Sequence, residues 1–93
     1  MNNVELARLR ETIDELDEQL IILLSRRFQV TEQVGRLKAR QQWQAQDSVR
    51  ESQQEQRYLA LATQHGLNPV LILKIFRTII DEVVCNHLSV IGD

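Results

Sequence analysis

Arg27 and Lys38 stand eleven residues apart, about three helical turns, so on a single helix they share one face. Thr31 and Gly35 lie between them on that face, one small side chain and one missing side chain. The spacing predicts a hollow flanked by two cations ~16 Å apart along the axis. Each side chain can lean inward, so the pair suits one small anion with a charge at each end. Singly, both residues have plainer accounts: Arg27 pairs with a carboxylate of another helix, and Lys38 extends its ammonium into water. Arg27, Lys38 and Gly35 taken together favour the anion site.

Arg10 precedes Arg27 by seventeen residues, roughly 25 Å along a helix, too far to reach the same ligand from the same chain. From a second copy, crossed or antiparallel, it would enter the partner's hollow; the alternative is an exposed ion pair with Asp14 at i+4. Asp47, Arg50 and Glu51 fall at the head of a second helix, beside backbone N–H groups that have no intrahelical partner. There Glu51 either closes a capping box or faces a ligand, and Arg50 offers a further anion contact. His87 continues the apolar stripe of a third helix one turn beyond Val83. It is either a structural histidine or, if it faces the hollow, a hydrogen-bond donor of the type that switches charge near neutral pH.

No Ser or Cys nucleophile is paired with a base, no Cys/His cluster has metal-ligand spacing, and no Gly-rich phosphate loop is present. The sequence therefore predicts neither a metal nor a cofactor. Three or four cations, a carboxylate and an imidazole suit a small dianion, and a reaction in which folding the substrate does most of the work. Binding without reaction would need the same residues.

Positioning these groups falls to long helices. Strides of three and four from Leu6 give Leu9, Ile13, Leu16, Leu20, Leu23, Arg27, Val30, Val34 and Leu37, apolar at every step except Arg27. Such a stripe predicts one continuous helix over about residues 3–41. A guanidinium on its seam is costly to bury unless an anion meets it. At ~1.5 Å per residue the helix is nearly 60 Å long, whereas a compact chain of this size spans roughly 30–35 Å. The expected resolution is an intertwined dimer in which the overhanging seam packs on a second copy.

Residues 42–47 read as a polar loop anchored by Trp43. Ser48-Val49-Arg50-Glu51 has the capping-box pattern that opens a helix over about 48–65, carrying Val49, Tyr58, Leu59 and Leu61 and stopped near Gly66. Asn68-Pro69 supplies an N-cap and a first-turn proline for a third helix over about 69–90, with Leu73, Phe76, Ile80, Val83 and His87 in helical stride. Strand alternation is absent. The expected fold is all-α, with three helices per chain (long, medium, long) in an intertwined homodimeric bundle and a single domain over 1–93.

At 93 residues with 43% apolar and 26% charged residues, the composition is that of an ordinary globular chain. A net charge of −2 gives no basic field for nucleic acid. No apolar run reaches the ~18 residues of a membrane span, and the N-terminal residues lack the apolar core of a secretory signal. The lone Cys85 fits a reducing cytoplasm, with burial as a small hydrophobe its expected role.

The motifs together resemble a known family. L-R-x-x-I-D-x-L-D-x-x-L from Leu9, L-L-x-x-R at Leu23 to Arg27, V-G-x-x-K at Val34 to Lys38, D-x-x-R-E at Asp47 to Glu51 and I-F-R-x-I-I at Ile75 to Ile80 are similar to the all-α class of chorismate mutases. The resemblance covers nearly the whole chain in order. It implies an intertwined dimer with two equivalent sites, converting chorismate to prephenate by an intramolecular [3,3] rearrangement without a covalent intermediate. Carried over by match, Arg27 and the partner's Arg10 would grip the two carboxylates, assisted by Arg50. Lys38 would hydrogen-bond the ether oxygen, and Asp47 and Glu51 would receive the C4 substituent. A fixed cation at the breaking ether favours the transition state, and one such donor is commonly worth ~3–4 kcal/mol.

Two positions depart from the family pattern: Val83 stands where a small hydroxyl residue is usual, and His87 where Gln or Glu is usual. The first removes a carboxylate hydrogen bond and the second replaces the partner of Lys38 at the ether oxygen. If His87 donates to that oxygen more strongly as imidazolium, activity will follow the protonation of this ring, and His87→Gln will change the pH–rate profile; an unchanged profile refutes the role. Three other readings share the residues. A mutase for 4-amino-4-deoxychorismate would set Glu51 and Asp47 against an ammonium. An isochorismate-pyruvate lyase would have no use for Glu51, since its substrate lacks the C4 hydroxyl. A non-catalytic helical dimer would tolerate loss of the whole charged set.

Overall fold

A computed structural model describes residues 3–41 and 48–92, with side chains described as far as residue 88. The described residues form three α-helices and no strand: α1 (Asn3–Gln41), α2 (Ser48–Gln64) and α3 (Pro69–Gly92). The all-α expectation holds. The expected loop over 42–47, with Trp43 and Asp47, lies outside the described residues. No helix is long and apolar enough to cross a membrane among the described residues. The chain divides into two compact units, Met1–Thr31 and Glu32–Asp93, and α1 contributes to both.

In the first unit the helix begins with Glu5 in its first turn, where a carboxylate favours the positive end of the helix dipole. Thr12 and Thr31 donate their hydroxyls to the carbonyls of Arg8 at 3.0 Å and Phe28 at 3.1 Å, so both fold back onto their own helix. Leu9, Ile13, Leu16, Leu20, Leu23 and Val30 are all exposed, Leu20 at 60%. The predicted apolar seam is therefore present but uncovered within one chain. A contiguous apolar strip of this kind is foreign to the surface of a monomer.

In the second unit, α2 and α3 form a helical hairpin. Asn68 caps α3: its Oδ1 accepts the Val70 N–H at 3.0 Å, and its carbonyl accepts the Ile72 N–H at 3.1 Å. Gly66 ends α2 with φ +69°. The Leu67 N–H reaches the Ala62 carbonyl at 2.8 Å, and the Gly66 N–H reaches the Thr63 carbonyl at 3.2 Å. This is the Schellman arrangement, which satisfies carbonyls the helix leaves open. A Cβ at Gly66 would meet nothing within 4 Å, so only backbone conformation opposes substitution there. Gly66→Ala is expected to lower stability by about 1 kcal/mol, and Gly66→Asn by less, because Asn tolerates the left-handed region. Denaturant unfolding of the three proteins will check the order.

The hairpin is held by Tyr58 of α2 stacked on Phe76 of α3, with ring centroids 4.0 Å apart and planes 17° from parallel. Such a pair contributes roughly 0.5–1.5 kcal/mol beyond its area burial. Tyr58 and Ala62 are the buried apolar side chains among the described residues, Ala62 at 2% exposure. The expectation of a buried Cys85 fails, since its side chain is exposed. The inward side of α3 carries Phe76, Ile80, Val83, Val84 and His87, all buried or half-buried. Cys85, two residues from His87, lies on nearly the opposite side of the helix.

Candidate functional site

Among the described residues His87 is the buried polar one, 4% exposed near the end of α3. Its ring lies against Gly35 of α1. A Cβ built on Gly35 would stand 2.5 Å from Cδ2, 3.0 Å from Nε2 and 3.3 Å from Cγ of the imidazole. Van der Waals contact between such atoms needs about 3.5 Å or more. The missing side chain predicted to leave a hollow is thus used, and the group filling it is His87. His87 thus faces the Gly35 position.

Lys38 follows Gly35 by three residues, about one helical turn, and is half-buried. Gly35, against which the imidazole lies, and Lys38 thereby stand at adjacent levels of one α1 face. The neighbouring cation Arg36 is committed elsewhere: its Nη2 donates to Glu32 Oε1 at 2.7 Å on the exposed side of the helix. An exposed i, i+4 pair of this kind contributes only about 0.3–0.5 kcal/mol. Val83 sits one turn before His87 on α3 and is half-buried, offering a methyl surface where a hydroxyl would offer a hydrogen bond.

Helix α2 brings the acidic part. It begins at Ser48, so Glu51 is in its first turn, where the helix dipole favours a carboxylate. Glu51 is half-buried and Arg50 exposed. Glu51 also lines a groove of about 450 Å³ between α2 and α3. Apolar lining comes from Tyr58, Leu73, Phe76, Ile80 and Val84, and charge from Glu51, Glu55, Arg77 and Asp81. Sequence reading had Phe76 and Ile80 only as core stripe and did not pick out Val84 or Glu55. The available signal was their helical stride, which says that residues share a face but not what that face meets.

In the first unit, Arg27 is half-buried and Arg10 exposed. Within Glu32–Asp93 the ring of His87 meets Gly35, and the same unit carries Lys38, Arg50, Glu51 and Val83. Asp47 lies outside the described residues. Chemically, an imidazole seated against Gly35 and an ammonium carried three residues further along α1 are both groups that can donate hydrogen bonds to an anionic oxygen.

Comparison with known proteins gives this geometry a family. The model described as chorismate mutase type II matches residues 9–87, a span containing every candidate residue from Arg10 to His87. The chain is similar to the bifunctional chorismate mutase/prephenate dehydratase of Escherichia coli (strain K12), 31% identical over 86 residues covering 92% of this chain and 22% of the relative. The proteins of the same description in Escherichia coli O157:H7 and Shigella flexneri match with the same figures, 31% over 86 residues. The chain thus spans about a fifth of the length of the curated relatives it matches. Its matched span and its three helices agree, and the chain belongs to the type II chorismate mutase family.

Proposed function

We propose that this chain is a chorismate mutase, catalysing the intramolecular rearrangement of chorismate to prephenate in sites shared between two copies. The observation that carries the reading is a buried His87 lying against Gly35 of α1, three residues before the half-buried Lys38, inside the matched span. In this role Lys38 and His87 donate hydrogen bonds to the ether oxygen, which accumulates negative charge as the C–O bond breaks. Arg27 and the partner's Arg10 clamp the carboxylates, Arg50 assists, Val83 packs against the substrate, and Asp47 and Glu51 receive the C4 hydroxyl. The clamp folds the enolpyruvyl group over the ring, and fixing that orientation removes several kcal/mol of barrier. Donors preset for the developing charge act on the transition state more than on the bound substrate.

The exposed seam of α1 supports the dimer. One chain buries little apolar surface among the described residues, and Leu9, Ile13, Leu16, Leu20 and Leu23 form a strip that a second copy of the same strip would cover. Arg10 lies on the helix that would cross, which is why the site needs the second copy.

The test is incubation of the purified chain with chorismate, its 4-amino analogue and isochorismate in turn. Loss of diene absorbance is followed, and each product is identified. Prephenate from chorismate supports the proposal. Preferential turnover of the amino analogue moves the substrate assignment, pyruvate release from isochorismate makes the chain a lyase, and no turnover of any of the three refutes an enzymatic role.

A further inference from the structure

Gly35 is the one buried residue of α1, and no feature of its backbone calls for glycine. The positive-φ glycine of the described chain is Gly66, so Gly35 has ordinary helical geometry. It also lies well inside the helix, six residues before Gln41, and is therefore not a C-terminal cap. Glycine inside a helix is less stable than alanine, because it gives up more backbone freedom on folding. The reason for glycine here is space, and the space is taken by the imidazole of His87, with the Cδ2–Nε2 edge turned to the helix.

We propose that Gly35 is a positioning residue for His87: by lacking a side chain it seats the imidazole against α1, one turn from Lys38, and so sets where the ring's donor meets the reacting oxygen. The kinetic consequence rests on the mutase reading above; the seat itself does not. Any larger residue at position 35 would place a carbon 2.5 Å from Cδ2. The atoms in the way belong to a side chain, not to backbone, so the helices can remain and the ring must yield. With His87 only 4% exposed, the ring cannot yield without moving its donor. The coupling runs both ways, since a residue without a ring at position 87 makes no demand for glycine at 35.

The experiment uses the full chain as Gly35→Ala, His87→Ala and the double variant. Two readouts are taken: steady-state rates with chorismate, and the NMR resonances of the two histidine rings. His87 is assigned by its loss in His87→Ala, and His65, in the turn after α2, serves as the internal control. Gly35→Ala is expected to shift the His87 ring resonances and leave those of His65 in place. It should lower kcat ten- to a hundredfold, as displacement by about an ångström does, with KM within about twofold. In the His87→Ala background the same substitution should have no further effect on kcat. If Gly35→Ala alone does not fold, the double variant is expected to fold, because the obstructing ring is gone. Unshifted His87 resonances, an equal loss of kcat in both backgrounds, or a double variant that stays unfolded overturns the proposal. Should the wild-type chain leave chorismate untouched, the mutase reading fails, and the ring resonances still decide the seat.

Discussion

Lys38→Ala is expected to lower kcat for chorismate by a hundredfold to a thousandfold, equivalent to about 3–4 kcal/mol of lost transition-state stabilisation. The size follows from where the charge sits. In the ground state the ether oxygen of the substrate is a weak acceptor, and an ammonium gains little from it. As the C–O bond lengthens, negative charge collects on that oxygen, and a cation already fixed beside it needs no reorganisation. Lys38 is half-buried, one turn from Gly35 and the ring it seats, so solvent screens it less than a surface lysine. KM should change less than kcat, because the interaction strengthens mainly in the transition state. Lys38→Arg is expected to restore little: a planar fork cannot occupy the position of a compact ammonium beside an imidazole. Initial rates from diene loss, with prephenate identified as product, measure the effect. A Lys38→Ala enzyme within fivefold of wild type would remove this residue from the chemistry.

The second large effect concerns the sharing of sites between chains. Arg10→Ala and Arg27→Ala are each expected to abolish most activity, since either change leaves one carboxylate of the substrate without its guanidinium. Mixed in equal amounts, unfolded and refolded together, the two inactive proteins should recover about a quarter of wild-type activity. Half of the dimers are then mixed, and each mixed dimer holds one site with both arginines intact and one with neither. A clamp built from a single chain predicts no recovery at all. Sedimentation should find the dimer in every sample, and introducing Asp at Leu16 or Leu20 should dissociate it, because a charge would be forced into the apolar seam. Activity that persists in the dissociated protein would sink the shared-site reading.

How much of this was legible in the sequence differs residue by residue. The stop at Gly66 was legible because a left-handed residue and its two closing hydrogen bonds involve only the last turn of α2. The start of α3 was legible for the same reason, since Asn68 caps through atoms two residues away. The charged set at Arg27, Lys38, Arg50 and Glu51 stood out because cations and a carboxylate at helical spacing on or beside apolar stripes ask for a partner. Cys85 was misjudged, because an apolar neighbourhood in sequence does not fix which side of a helix turns inward.

Helical periodicity, local capping and the lack of strand alternation determined that this protein is three helices, and its motifs in order determined the family. Those signals act over one or two turns, so the chain expresses them whatever it packs against. Tertiary structure alone decided that the space at Gly35 is filled by His87 and that Tyr58 stacks on Phe76, leaving a groove beside them. Gly35 and His87 are fifty-two positions apart, and their meeting depends on how each helix is rotated. That rotation is set by the summed packing of many side chains, and no local stretch of sequence records it.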